Sequence, residues 1–247
     1  MKDMLEEAYA ANYAKLTAMA ERNYSTDLLN AERRTLHDSV RPGPAKPLPI
    51  DNTATRCVRA EFLRWLLNDS QATPLIYKDG LQVVGATVDG EVDLDASRVP
   101  CFLVFRNCVF TGNVHFVWAD TRSIEIQDCV SLGNISFENC NIQGDLDLNG
   151  LQSTGSITMY GARVAGDLSL KKLQMSGKGK ELSINHAEVK GTAYFEGLSC
   201  AGPVWMLNTK TGSDLIASGA IFGSTLTMTG ASNGGRPRHV RCPFVRP

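Results

Sequence analysis

The sequence predicts a mainly β fold, a parallel β-solenoid preceded by an α-helical segment, and three observations predict it. From Asp79 onward a unit of eleven residues repeats, with first positions at 79, 90, 101, 112, 122, 133, 144, 155, 166, 180, 191, 202, 213 and 224. Every step is eleven except 112 to 122, which is ten, and 166 to 180, which is fourteen. Within each unit, offsets +2 and +4 are apolar between polar neighbours, as in Ile135/Phe137, Leu146/Leu148, Ile157/Met159 and Leu168/Leu170. That alternation is the two-residue period of a strand. Offset +7 is mostly small (Ala86, Cys108, Ala119, Cys129, Cys140, Ala162, Ala187), and offset +9 returns to a bulky residue (Val88, Phe110, Ile142, Val164, Val189). A fixed period of this kind marks a solenoid, whose units bury their apolar faces only by stacking on one another. Glycine opens many units (Gly133, Gly144, Gly155, Gly166), which predicts a corner where the backbone takes positive φ.

Ahead of the repeat, residues 1–40 predict two helices. The first covers 2–22, with Leu5, Tyr9, Tyr13 and Leu16 on one face, and the second follows Ser25 as a candidate N-cap. Ala18-Met19-Ala20 has the form of a signal-peptidase site, but Asp3, Glu6, Glu7 and Lys15 break the pattern of a leader, so this end reads as an ordinary helix. Four prolines in "RPGPAKPLPIDN" make 41–52 a linker or extended strap. Residues 53–78 predict a capping helix and the lead-in to the repeat, with Thr53 as cap and Val58, Phe62, Trp65 and Leu66 on its apolar face. A helix laid over the first coil covers strand edges that would otherwise pair with other chains. The solenoid then runs from 79 to 234, the long step bulges as a loop at 176–180, and 235–247 is a flexible basic tail.

A small residue followed two positions later by a bulky one (Cys108-Val109-Phe110, Cys140-Asn141-Ile142, Ala162-Arg163-Val164) resembles the pentapeptide-repeat proteins. The resemblance covers residues 79–234 and implies a right-handed quadrilateral parallel β-helix. Two five-residue sides and one extra residue would make each half-coil, and about seven coils would form a rod of roughly 34 Å. The passage from "RCVRAEFLRWLLND" into "GLQVVGATVDGEVDLDASRVP" also resembles the start of a bacterial family of pentapeptide-like β-helices whose members are often labelled oxidoreductases. No residue supports that label here. The spaced glycines in "GATVDG" and "GSITMYG" fall in solenoid corners and not between a strand and a helix.

Bulk properties narrow the function classes. The 247 residues are 43% hydrophobic and 21% charged, with a net charge of −1. Residues 78–235 hold 16 acids and 11 bases, the first 77 residues hold ten of each, and the tail after 235 holds four arginines. This is no nucleic-acid-binding stripe, so nucleic acid is not an expected partner. No apolar run reaches the ~20 residues of a membrane span. Seven cysteines without C-x-x-C spacing predict buried unpaired thiols and a cytoplasmic location. The four histidines, His37, His115, His186 and His239, fall in unrelated segments. No catalytic residue, metal ligand or cofactor is expected.

The expected function is therefore a non-enzymatic scaffold that binds another protein through an outward wall. Val117, Tyr160, Trp205 and Leu207 are the candidate contact residues, because Trp and Tyr are frequent interface anchors. A second wall supplies an acidic alternative, in which stacking by twenty-two residues sets Glu125 beside Asp147 and Asp145 beside Asp167. Paired carboxylates of this kind serve carbohydrate-active or carbohydrate-binding β-helices, and carboxylate clusters bind Ca²⁺. A third reading, drawn from the resemblance, is a DNA mimic acting on a topoisomerase, and a homodimer through an uncapped end of the β-helix is a further possibility.

Overall fold

The alternation of apolar and polar residues closes into a tube of four flat walls. In the computed structural model, which describes residues 2–24, 28–45 and 56–234, each eleven-residue unit supplies two short strands and each pair of units makes one coil. The first wall stacks Leu81–Val84, Leu103–Arg106, Ile124–Gln127, Leu146–Asp147, Leu168–Ser169, Ala193–Tyr194 and Leu215–Ile216. The second wall runs from Thr87–Asp89 to Ile221–Phe222, the third from Val92–Asp93 to Leu226–Thr227, and the fourth from Arg98–Val99 to Ser232–Asn233. All pairings are parallel and in register one coil apart, for example Ile124 with Leu146 and Ile135 with Ile157. The structure is thus a parallel β-solenoid of about seven turns.

The inward offsets fill the tube. Leu146, Leu148, Ile157, Met159, Leu168 and Leu170 are all buried, and so are the small +7 residues Cys108, Cys129, Cys140 and Ala162. Two aromatic contacts thicken the early coils: Phe105 meets Phe110 edge-on at 5.3 Å, and Phe116 stacks on Phe137 at 5.3 Å. Two inward serines are satisfied at the corners, where Ser131 Oγ donates to the Gly133 carbonyl and Ser153 Oγ to that of Gly155, whereas the buried Thr121 hydroxyl has no partner among the described residues. The three residues added by the long step lie between Met175 and Leu182, and the stack absorbs them by pairing Ile157 with Leu182 across twenty-five positions.

The anchor glycines have a different cause from the one expected. The left-handed conformation sits at offset +6 of every unit, at Gly85, Ala96, Asn107, Trp118, Asp128, Asn139, Gly150, Gly161, Lys172, His186, Gly197, Asn208, Gly219 and Gly230. Gly112, Gly133 and Gly155 do not adopt positive φ. They stack in a column, and a Cβ on Gly155 would lie 2.5 Å from the Gly133 carbonyl carbon and 2.8 Å from the Asn134 nitrogen. The corner is glycine because successive coils touch backbone to backbone there.

The N-terminal segment covers the first coil. It comprises α1 (Lys2–Tyr24), α2 (Asn30–Ser39), β1 (Cys57–Arg59) and α3 (Ala60–Asn68). Leu16 and Ala20 of α1 are buried and Tyr9 nearly so, whereas Leu5, expected on the same face, is exposed. The third helix starts later than its pattern suggests. Val58 belongs to β1, which pairs with Thr87–Asp89 and gives the second wall an eighth strand. The expected caps Ser25 and Thr53, most of the proline-rich strap and the basic tail lie outside the described residues. The described start of the strap is held by Gln82, whose Nε2 donates to the Gly43 carbonyl while its Oε1 accepts the Ala45 N–H.

One buried charge joins these pieces. Glu32 of α2 is fully buried; its carboxylate accepts the Leu29 and Arg59 backbone N–H groups and both Nε and Nη2 of Arg59. The carboxylate is fully hydrogen-bonded, which is the condition for keeping a charge out of water. Tyr24 closes α1 over α3, edge-on to Phe62 and Trp65, with its hydroxyl donating to the Glu61 carbonyl.

Candidate functional site

The first wall brings together all four residues of the acidic alternative. Glu125 and Asp147 are register partners, and Asp145 and Asp167 occupy the corner one coil apart. Each carboxylate already has protein partners. Arg106 forms an ion pair with Glu125. Asp147 accepts Gln127 Nε2 at 2.7 Å and the Asn149 N–H at 2.9 Å. Asp145 accepts the Asp167 N–H at 2.8 Å, and Asp167 in turn accepts the Thr192 N–H at 2.7 Å. These bonds tie each coil to the next where the strands end, so the outward acids at 145 and 167 form a corner ladder. Ser123 and Asn149 do the same elsewhere on this wall, accepting the Asp145 N–H at 3.0 Å and the Lys171 N–H at 2.8 Å. A shallow open depression remains between Asp147, Ser169 and Tyr194. Lys171 borders it, paired with Glu196 at 2.8 Å and lying 4.2 Å from the Tyr194 ring centre. Among the described residues no group of three or more His, Cys, Asp or Glu is placed to hold a metal ion, and no described helix is long and apolar enough to cross a membrane.

The third wall carries the other set. Val117, Tyr160 and Leu207 share offset +5, so they lie in one column at the turn into the fourth wall, two coils apart and separated by Glu138 and Asn185. Val117 and Leu207 are half-buried. Their N–H groups are held by the coil before, on Asp95 Oδ1 at 2.7 Å and Asn185 Oδ1 at 2.8 Å. Trp205 stands apart from this column, on the strand itself, half-buried with its indole N–H donating to Glu181 at 3.0 Å. Tyr160 is 47% exposed, and its ring lies 5.2 Å from that of His186 in the next coil.

Trp118 was not among the expected residues, yet it is the most exposed large hydrophobic side chain among the described residues of the solenoid, at 66%. It occupies the left-handed position of its unit with φ 60°. The equivalent positions of the same column are Ala96, Asn139, Gly161, His186, Asn208 and Gly230. A bulky aromatic residue in this conformation costs on the order of 1–2 kcal/mol relative to glycine, and its exposure returns little of that through burial. The signal was present in the sequence as an aromatic residue at offset +6, but offset +6 is recognisable as a left-handed corner only once the coil is built.

The remaining walls differ in character. The outward row of the fourth wall mixes signs: Arg98 beside Asp120, and Arg163 beside Glu188 beside Lys210. The last coil, at Leu215–Asn233, pairs on one side only among the described residues. The six described cysteines are unpaired, five of them buried, and burial pushes the Cys140 thiol up to about 12. No family profile, curated protein or solved structure matches the chain.

Proposed function

We propose that the chain is a non-enzymatic, pentapeptide-repeat-like scaffold that binds another protein at the corner between the third and fourth walls, through Trp118 and Tyr160. The observation that carries the reading is Trp118 itself, an exposed indole kept in a left-handed backbone position that its counterparts fill with Ala, Asn, Gly or His. Strain retained on a surface, with little burial to offset it, points to a use outside the folded chain. Val117 and Leu207 extend the contact along the column of Tyr160, whereas Trp205 stands apart from it, bonded to Glu181. The acidic wall supports this reading indirectly, because its carboxylates are engaged in holding coils together. Unpaired buried thiols fit a reducing compartment such as the cytoplasm.

The test is affinity capture from the native cell with the wild-type chain and with the Trp118→Ala/Tyr160→Ala double variant. Loss of one specific partner in the double variant, with unchanged circular dichroism, is the expected result. The same partner list from both proteins would overturn the assignment. A parallel Asp145→Ala/Asp147→Ala variant should capture the partner as the wild type does.

A further inference from the structure

Glu138 lies one coil before Tyr160 in the +5 column and one coil after Trp118, which occupies the adjoining +6 column. Three consecutive coils are joined there by backbone bonds, with the Trp118 N–H donating to the Glu138 carbonyl at 2.9 Å and the Asn139 N–H to the Tyr160 carbonyl at 2.8 Å. At the strand spacing of about 4.8 Å per coil, the two aromatic positions lie roughly 10 Å apart, with the glutamate position midway. Glu138 is half-exposed, and among the described residues its carboxylate makes no ion pair or hydrogen bond. It differs in this from the first-wall carboxylates described above. Arg163, on the fourth wall, stands in strand register with Glu188 and makes no ion pair with Glu138 among the described residues. His186 braces Tyr160 from the coil beyond, with the ring centres 5.2 Å apart, and Tyr160 remains 47% exposed.

We infer that this gap, bounded by Trp118 and Tyr160 with Glu138 between them, receives a cationic side chain, lysine or arginine, of the protein partner. The inference rests on the docking corner proposed above and names what the partner presents to it. Aromatic faces attract a cation through their quadrupoles, and a free carboxylate between two such faces adds charge complementarity in the same place. An apolar partner surface would leave Glu138 desolvated without a counter-charge, which works against its binding. A cationic side chain satisfies all three groups at once.

The experiment uses the full chain, ¹⁵N-labelled, and follows the indole N–H resonances of Trp65, Trp118 and Trp205, with Trp118 assigned by Trp118→Phe. The probes are the peptide acetyl-Gly-Arg-Gly-amide and its citrulline counterpart, which keeps the shape and removes the charge, titrated at constant ionic strength. The expected result is a saturable shift of the Trp118 indole with an affinity about fivefold or more greater for the arginine peptide, and unmoved Trp65 and Trp205. Glu138→Gln should remove about the same factor without changing the unfolding midpoint. Equal shifts with both peptides, no shift with either, or an undiminished preference in Glu138→Gln would overturn the inference. If partner capture still depends on Trp118 and Tyr160 in that case, the docking corner stands and only the cationic contact falls.

Discussion

Replacing Gly155 by alanine tests whether the repeat is spaced by backbone contact between coils. A Cβ there would lie 2.5 Å from the Gly133 carbonyl carbon, about 1 Å inside ordinary carbon–carbon contact. To make room, the corner must open by a similar distance. That breaks the Ile135 N–H bond to the Ser156 carbonyl, now 2.9 Å, and the Ser156 N–H bond to Asn134 Oδ1, now 3.0 Å. Two lost bonds at roughly 0.5–1.5 kcal/mol each and overpacking of roughly 1–3 kcal/mol give a destabilisation of about 2–6 kcal/mol. Gly219 is the control. It has φ 70°, an added Cβ there meets nothing within 4 Å, and the equivalent corner at 107 holds asparagine, so Gly219→Asn should cost about 1 kcal/mol or less. Urea denaturation followed by circular dichroism reads both. A cost below about 1 kcal/mol for Gly155→Ala, or equal costs for the two variants, would refute the account of the anchor glycines.

Three further outcomes follow from the same structure. Glu32→Ala leaves the Arg59 guanidinium and two backbone N–H groups without their acceptor; it should cost about 3–5 kcal/mol, and limited proteolysis should release the N-terminal helices before any solenoid peptide. Burial raises the Cys140 thiol from about 9 to about 12, so the unfolded chain loses this proton first; the stability it contributes is intact below about pH 9 and is lost between pH 9 and 12 at up to about 1.4 kcal/mol per pH unit. Cys140→Ala should flatten that alkaline slope, and identical slopes for the two proteins would contradict it. Trp118→Asn relieves roughly 1–2 kcal/mol of left-handed strain and gives up only the roughly one third of the residue that is buried, so the unfolding free energy should stay within about 1 kcal/mol while partner capture fails; a loss of several kcal/mol would make Trp118 a structural residue.

How far the sequence could be read follows from what each signal depends on. The core was legible because inward positions recur with a period that neighbouring walls share, and Leu146, Ile157 and Cys140 are where the pattern places them. Lateral neighbours were legible for the same reason: counting twenty-two residues correctly pairs Glu125 with Asp147. Two things were not. Val58 and its neighbours read as helix because Val58, Phe62 and Leu66 fit a helical face, yet Val58 gains more by pairing with Val88 in the exposed edge of the second wall, and the helix begins only at Ala60. The cause of the glycines was also hidden, since close approach between coils and positive φ both select glycine, and only the coordinates separate offset 0 from offset +6.

The same separation decides which outward residues are free to act. In a solenoid an outward polar side chain has a neighbour of the same offset one coil above and one below, so a short side chain with an acceptor oxygen tends to be drawn into the stack. Asp145, Asp167 and Asn149 take that course, each accepting a backbone N–H from the following coil. Carboxylates that look like a ligand set in the sequence therefore serve as joints in the structure. Indole has no acceptor, and at a left-handed corner Trp118 stands 66% exposed and cannot join such a ladder. Glu138, one coil on in the adjoining column, offers a carboxylate that no neighbouring coil engages among the described residues. The ladder is interrupted between Trp118 and Tyr160, and that interruption is where the proposed docking corner lies.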